Sequence, residues 1–80
     1  MARSLIEIAA EIRADWKPEV NWAAEPYVDA MSRTQSIKDM FGFDAGSEIV
    51  ARFLCNAASW RGPVARRVKE ELNAMLKAAR

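Results

Sequence analysis

The chain has no histidine and a single cysteine among its 80 residues. Without histidine it has neither a His-based proton relay nor a zinc site of the Cys/His type. One cysteine cannot form an internal disulfide, which excludes a disulfide-stapled secreted mini-domain. Glycine and proline number three each, which excludes collagen-like and low-complexity chains. What remains is one small globular domain over residues 1–80.

Long apolar runs are also missing. The apolar stretch of residues 5–12 is interrupted by Glu7 and Glu11, whereas an export signal needs an unbroken apolar run. No segment has the roughly 20 uncharged residues that span a bilayer. We therefore expect a cytoplasmic protein with no membrane partner.

Helical periodicity is what the sequence has in abundance, in a composition that is 51% hydrophobic. The first helix is predicted to begin directly after Ser4, which forms a capping-box pattern with Glu7, and to end at Lys17–Pro18. A short second helix is predicted from about Pro26, which suits the first helical position. The side chains expected to face inward on that helix are Tyr27, Ala30 and Met31.

Three more helices are predicted further along the chain. Ser36 is expected to cap a very short helix through residues 37–41, with Gly42 as its left-handed stop. Asp44 is expected to cap a longer helix, and Pro63 to open the last one. With no strand-like alternation, the sequence predicts an all-α fold of five helices, two of them short. The apolar stripes expected on the two long helices are Ile49, Val50, Phe53, Leu54 and Ala57, then Val64, Val68, Leu72, Met75, Leu76 and Ala79.

Charge is distributed unevenly along the chain, although the net charge is only +1. Residues 1–48 hold five Lys or Arg and nine Asp or Glu, a net charge of −4. Residues 49–80 hold seven Lys or Arg and two Glu, a net charge of +5. The total gives no general attraction to nucleic acid or anionic lipid, but each half offers a charged face.

The negative face is an acidic ridge of Glu7, Glu11 and Asp15 on the first helix, extended by Asp29 if the second helix packs beside the first. Either it is a solvated face, or one docked against the basic last helix, or it imitates the phosphate row of nucleic acid. In the last case it would compete for a basic DNA-binding channel. Glu7→Lys/Glu11→Lys would then weaken binding and leave the melting temperature nearly unaltered.

The positive face lies on the last helix and in the turn before it. Its candidate binding residues are Arg61, Arg66 and Lys69, followed along the helix by Asn73, Lys77 and Arg80. Two interpretations stay open: a contact surface for phosphates or an acidic protein, and a solvated helix face. Arg67 is predicted to pair within the helix with Glu71, four residues later.

Residues 45–78 also invite comparison with a helix-turn-helix, in which two helices are joined by a short turn that often contains glycine. The residues that match this motif are Ala58, Gly62 and Val68, and those that do not match are Arg61, Pro63 and Glu71. An ordinary helical hairpin is the better interpretation, with a DNA-binding regulator as the alternative.

Catalysis is not indicated. Cys55 lies in the middle of a helix, with no helix N-terminus to activate it, and is predicted as a small half-buried packing residue. Gly42 and Gly46 are not followed by the Lys-Ser/Thr of a phosphate loop. We expect no enzymatic activity, no metal ion and no cofactor.

Tryptophan is abundant, with three residues in this short chain. Trp16, Trp22 and Trp60 are all predicted at helix ends or in connectors, either as core wedges or as interface residues. Together with the apolar composition they favour a homodimer, for which Cys55 is not required.

Five collinear segments resemble short proteins of phages and other mobile elements: residues 12–17 (IRADWK), 26–31 (PYVDAM), 53–57 (FLCNA), 60–62 (WRG) and 68–72 (VKEEL). Such proteins include anti-CRISPR proteins, and the chain is similar to those directed at multi-subunit type I effectors. The resemblance implies a non-enzymatic inhibitor in the host bacterial cytoplasm. It would bind a Cas subunit and block target-DNA binding or nuclease recruitment. A phage structural or assembly protein is a further alternative.

Overall fold

The computed structural model describes residues 3–42 and 44–79, and most of these residues are helical. Helix α1 spans Leu5–Asp15 and begins, as predicted, with a capping box. Ser4 Oγ accepts a hydrogen bond from Glu7 N (3.1 Å), and Glu7 Oε1 accepts one from Ser4 N (3.2 Å). The helix ends with Trp16 as its C-cap, just before the predicted stop. The side chains that α1 buries are Leu5, Ile8, Ala9 and Ile12.

Helix α2 spans Glu25–Met31 and begins one residue before Pro26, close to the predicted start. It packs against α1 and against the third helix. Ala30 and Met31 are buried and Tyr27 is half-buried against the core, as predicted. This helix therefore lies between the two helices that carry most of the core.

The predicted short helix over residues 37–41 does not form. Residues 36–39 make a single turn, closed by a backbone hydrogen bond of 2.9 Å between its first and last residues. The chain then forms a two-residue antiparallel hairpin of β1 (Met40–Phe41) and β2 (Asp44–Ala45). Gly42, in the hairpin turn, has the predicted left-handed backbone, with φ +64°. Strands of two residues are too short to produce an alternating pattern, so the sequence did not reveal them.

Helix α3 spans Gly46–Cys55 and starts later than predicted. Its N-cap is Ala45, which makes no side-chain capping bond, so the prediction that Asp44 caps this helix is wrong. Asp44 lies instead in β2, and the helix starts where Gly46 packs closely against the backbone of residues 36–37. The predicted apolar face is confirmed within the helix: Ile49, Val50 and Phe53 are buried, and Leu54 is half-buried. Ala57, predicted on the same face, is buried but lies in the connector after α3.

Helix α4 spans Pro63–Ala78 and opens at the predicted residue. Its N-cap, Gly62, has φ +114°, a conformation that favours glycine. Ala65, Val68 and Leu72 are the side chains that α4 buries. Ala79, predicted in this stripe, is the C-cap of α4 and is exposed. The predicted stripe members that are half-buried are Val64, Met75 and Leu76. The described residues thus form four helices where five were predicted.

An aromatic cluster joins the ends of these helices. The rings of Trp16 and Trp60 stack with centroids 5.6 Å apart and an interplanar angle of 9°. Phe53 meets both indoles edge-on, at 6.4 and 6.3 Å. These three side chains connect the end of α1, the last turn of α3 and the connector that precedes α4.

Candidate interaction surfaces

The structure gives each predicted member of the acidic ridge a different environment. Glu7 completes the capping box and remains exposed. Asp15 accepts a hydrogen bond from Nε1 of buried Trp60 (2.9 Å), and Asp29 makes an ion pair with Arg33, which lies just beyond the end of α2. Glu11 is held between two arginines. These carboxylates therefore do not form one unpartnered row.

Glu11 is the most enclosed member of the acidic ridge, with a side chain that is 26% exposed. Its Oε2 accepts a hydrogen bond from Arg67 Nη2, and its Oε1 lies 2.8 Å from Arg3 Nη2. Arg3 also donates two hydrogen bonds to Glu71, of 3.0 and 2.6 Å. This network of two cations and two carboxylates links α1 to α4.

The predicted intrahelical pair between Arg67 and Glu71 is wrong. Helix α4 packs against α1, so Arg67 binds Glu11 and Glu71 binds Arg3. For Glu11, the structure fits the interpretation that the acidic face docks against the basic last helix, and it does not fit a solvated face. We expect a lysine at Glu11 to destabilise the fold, because it would place a third cation between two guanidinium groups.

The guanidinium groups of Arg67 and Arg3 lower the pKa of Glu11 below its usual value of 4.5. A lowered carboxyl pKa contributes stability that is complete above the unfolded-state pKa and is lost as the pH falls through the folded-state pKa. We expect Glu11→Gln to lower the free energy of unfolding at pH 7 by about 1 kcal/mol, because these side chains are partly screened by water. The variant should also lose less stability than wild type between pH 7 and pH 3.

Urea unfolding of both proteins at the two pH values measures this effect. Glu48→Gln is the matched control, since the Glu48 side chain is 57% exposed and its nearest arginine atom lies at 3.9 Å. An equal pH dependence in wild type and Glu11→Gln would contradict the prediction.

Three of the predicted positive residues, in contrast, come together, whereas Lys77 lines a different groove nearer the end of α4. Arg61, Arg66 and Lys69 line one groove of about 670 Å³ at the start of α4, and we call these three residues the basic corner. Lys69 Nζ donates a hydrogen bond to the backbone oxygen of Trp60 (2.7 Å), which holds the ammonium group at the groove wall. Glu70 is the one carboxylate among the residues that line this groove. Arg80, predicted on the same face, lies outside the described residues.

The basic corner has no internal counter-ions within residues 3–42 and 44–79. The arginines that have a carboxylate oxygen at 3.6 Å or less are Arg3, Arg13, Arg33, Arg52 and Arg67. In the described part of the chain, Arg61 and Arg66 have no such partner, and both are exposed. Their guanidinium groups are therefore available to a binding partner without the loss of an ion pair.

Electrostatics at Lys69 favour a negatively charged partner. Burial lowers the pKa of Lys69, and the nearby guanidinium of Arg61 lowers it further. Both causes act against the charged ammonium form. A carboxylate or phosphate at the groove would offset both.

The segment from α3 to α4 differs from a helix-turn-helix in the length of its connector. Residues 56–62 separate the two helices, about twice the three- to four-residue turn of that motif. Gly62 lies at the end of this connector as the N-cap of α4. The structure therefore favours an ordinary helical connection over a DNA-reading motif in residues 45–78.

The three tryptophans separate into two environments that the sequence left open. Trp16 and Trp60 are buried core residues, whereas Trp22 is 85% exposed. In the sequence, the feature that could indicate exposure of Trp22 is its position at a helix end or in a connector. Trp16 and Trp60 have the same kind of position, so the sequence could not separate the three. Trp22 is thus a surface residue whose exposure only the tertiary structure reveals.

Cys55 is exposed, so the prediction of a half-buried thiol is wrong. The buried face of α3 passes through Phe53, and Cys55 lies about 200° further around the helix. This side chain therefore points away from the core.

Across residues 3–42 and 44–79, no three side chains of His, Cys, Asp or Glu are grouped as potential metal ligands. In the same ranges no helix combines the length and the apolar character needed to cross a bilayer. Comparisons of the chain with protein-family models, with curated proteins and with solved structures found no match.

Proposed function

We propose that this chain is a non-catalytic inhibitor of a type I CRISPR effector complex, and that it binds a Cas subunit through the basic corner. This proposal depends on where the charged side chains of Arg61 and Arg66 lie. In the described chain they are the arginines without a carboxylate partner, and they share a groove with Lys69. Free guanidinium groups bind carboxylates in a two-bonded geometry.

The choice of partner comes from the five segments that resemble anti-CRISPR proteins of mobile elements. The positive sign of the basic corner then favours one mode of inhibition. DNA-binding channels are lined with Lys and Arg, so they repel a basic surface, whereas an acidic subunit face is complementary to it. The chain accordingly blocks recruitment of the nuclease and leaves target-DNA binding intact.

The acidic ridge is the weaker candidate for this contact. Glu11 already binds Arg3 and Arg67, and Asp15 already accepts a hydrogen bond from Trp60. Presenting these carboxylates to a basic channel would require those internal contacts to be broken. Imitation of nucleic acid therefore requires a reorganisation that the basic corner does not.

Arg61→Glu/Arg66→Glu should weaken effector binding at least about 30-fold, because two reversed charges would face an acidic surface. The melting temperature should change little, since both side chains are exposed and have no internal ion pair in the described residues. Binding is measured by capture of a purified type I effector on the immobilised chain. With wild type, a mobility-shift assay should show the effector still bound to target DNA while cleavage is lost.

Lys17→Glu/Lys38→Glu is the matched control, because it changes the net charge equally at two exposed lysines away from the basic corner. Recovery of no Cas subunit, together with unimpaired interference in a phage-plating assay, would remove the proposal. If effector binding is retained in Arg61→Glu/Arg66→Glu but lost in Glu7→Lys, the contact surface is the acidic ridge and not the basic corner.

A DNA-binding regulator is the second candidate, since the unpaired cations of the basic corner also suit phosphates. Glu70 within the groove and the long connector before α4 weigh against it. Salt-sensitive binding to random duplex DNA that is lost in Arg61→Ala/Arg66→Ala/Lys69→Ala would favour the regulator over the inhibitor.

A further inference from the structure

Trp22 is the most exposed large apolar side chain among the described residues. The backbone that carries it is held in place: Ala24 N donates a hydrogen bond to Asn21 O (2.9 Å), and Ala23 N donates one to Asn21 Oδ1 (2.8 Å). An indole presented on a fixed turn loses little conformational entropy when it enters an interface. Trp22 is therefore well placed to anchor a partner.

A groove of about 670 Å³ opens beside Trp22, whose side chain forms one of its walls. Arg13 and Glu25 line it, joined by two hydrogen bonds of 2.7 and 3.0 Å. Pro18 and Val20 supply the apolar part of the lining. The same patch thus carries both a projecting aromatic ring and a concave surface of the size that accepts one.

The groove is lined by charges of both signs. Arg13 is its cation, and Glu19 and Glu25 are its carboxylates. The carboxylates disfavour phosphate groups, and a lining of mixed sign does not select a strongly charged protein. A second copy of the chain, in contrast, can set each cation beside a carboxylate of the other copy.

We infer that this surface binds a second copy of the chain in a two-fold contact, with each Trp22 seated in the groove of the other copy. A two-fold contact requires a patch that is complementary to itself. The projecting Trp22 ring and the groove beside it provide such a patch. Each indole would also lie over the partner's Arg13, a favourable cation–π arrangement. A standard interface buries about 800 Å² per copy, about one sixth of the 5165 Å² surface of this chain.

Sedimentation equilibrium at micromolar concentration tests the contact. Wild type should sediment as a dimer, and Trp22→Ala should sediment near the monomer mass of 9.0 kDa. The dimer dissociation constant should rise at least about 30-fold, the effect of removing a tryptophan from the centre of an interface. An unchanged melting temperature of the Trp22→Ala monomer at low concentration will show that the variant is folded.

Met40→Ala is the matched control, because Met40 is a second exposed apolar side chain (61%) on a different element, β1. It should leave the mass unchanged. A wild-type mass of 9.0 kDa, or a dimer that survives Trp22→Ala, would overturn the inference. A monomeric wild type whose effector capture depends on Trp22 would assign this surface to a different protein and would also overturn it.

Discussion

Replacing Phe53 with alanine should lower the free energy of unfolding by about 3–5 kcal/mol. Phe53 has no exposed surface, and its ring is edge-on to both Trp16 and Trp60. Because the two indoles are already stacked on each other, they cannot easily move into the space left by the phenyl ring. The loss should therefore lie at the upper end of large-to-small substitutions.

The total stability expected for a domain of this length is about 4–12 kcal/mol, so this variant loses a large part of it. The melting temperature should fall by about 15–30 °C, as followed by circular dichroism and tryptophan fluorescence. Phe53→Leu should cost clearly less, because it leaves a smaller cavity. Ile6→Ala, at a 42% exposed position of α1, is the matched control and should change stability little. A Phe53→Ala protein that melts within a few degrees of wild type would contradict the prediction.

Gly46→Ala should also destabilise the protein strongly, by about 2–3 kcal/mol. A Cβ at Gly46 would lie 2.8 Å from the carbonyl oxygens of both Ser36 and Ile37, and these are backbone atoms that cannot rotate away. The Gly46 N–H also donates a hydrogen bond to Asp39 O (2.7 Å), which a forced shift would lengthen. On helix propensity alone, alanine would be favoured by about 0.5–1 kcal/mol, so a net loss is diagnostic of the close approach.

Gly42→Ala is the comparison for this prediction. Gly42 has a left-handed backbone, φ +64°, but a Cβ there would meet no atom within 4 Å. Gly42→Ala should lower the free energy of unfolding by about 1 kcal/mol, the cost of placing an alanine in the left-handed conformation. This loss is smaller than the one expected for Gly46→Ala. Thermal unfolding of both variants gives the order, and the reverse order would show that residues 36–37 can move away from α3.

Local signals predicted the helices whose ends depend on neighbouring residues. Ser4 and Glu7 form the capping box that the sequence indicated, and Pro63 opens α4. The start of α3 was misjudged because it depends on a contact between Gly46 and residues 36–37, nine or more positions away. A pattern that spans one helical turn contains no information about that approach.

For the candidate surfaces too, local sequence signals predicted some features, and contacts between distant segments decided the others. The sequence placed Arg61, Arg66 and Lys69 on one face, and they do line one groove. For Glu11 it left open a solvated face and a face docked against the last helix, and the structure shows the docked arrangement, with Arg67 and Arg3 as partners. Charge and helical spacing identify the side of a helix, but they do not decide whether another helix covers that side.

By itself, the sequence determined where most helices lie, which of their faces are apolar, and that opposite charges are concentrated in opposite halves of the chain. These properties depend on hydrogen bonds and side-chain spacing within a few residues. The tertiary structure alone decided that Trp22 is exposed while Trp16 and Trp60 are buried. It also decided that Glu11 of the acidic ridge is paired with arginines, whereas the basic corner has no carboxylate partner among residues 3–42 and 44–79. The physical reason is that exposure and ion pairing depend on distances between segments far apart in sequence, such as the contact of Glu11 with Arg67 across α1 and α4.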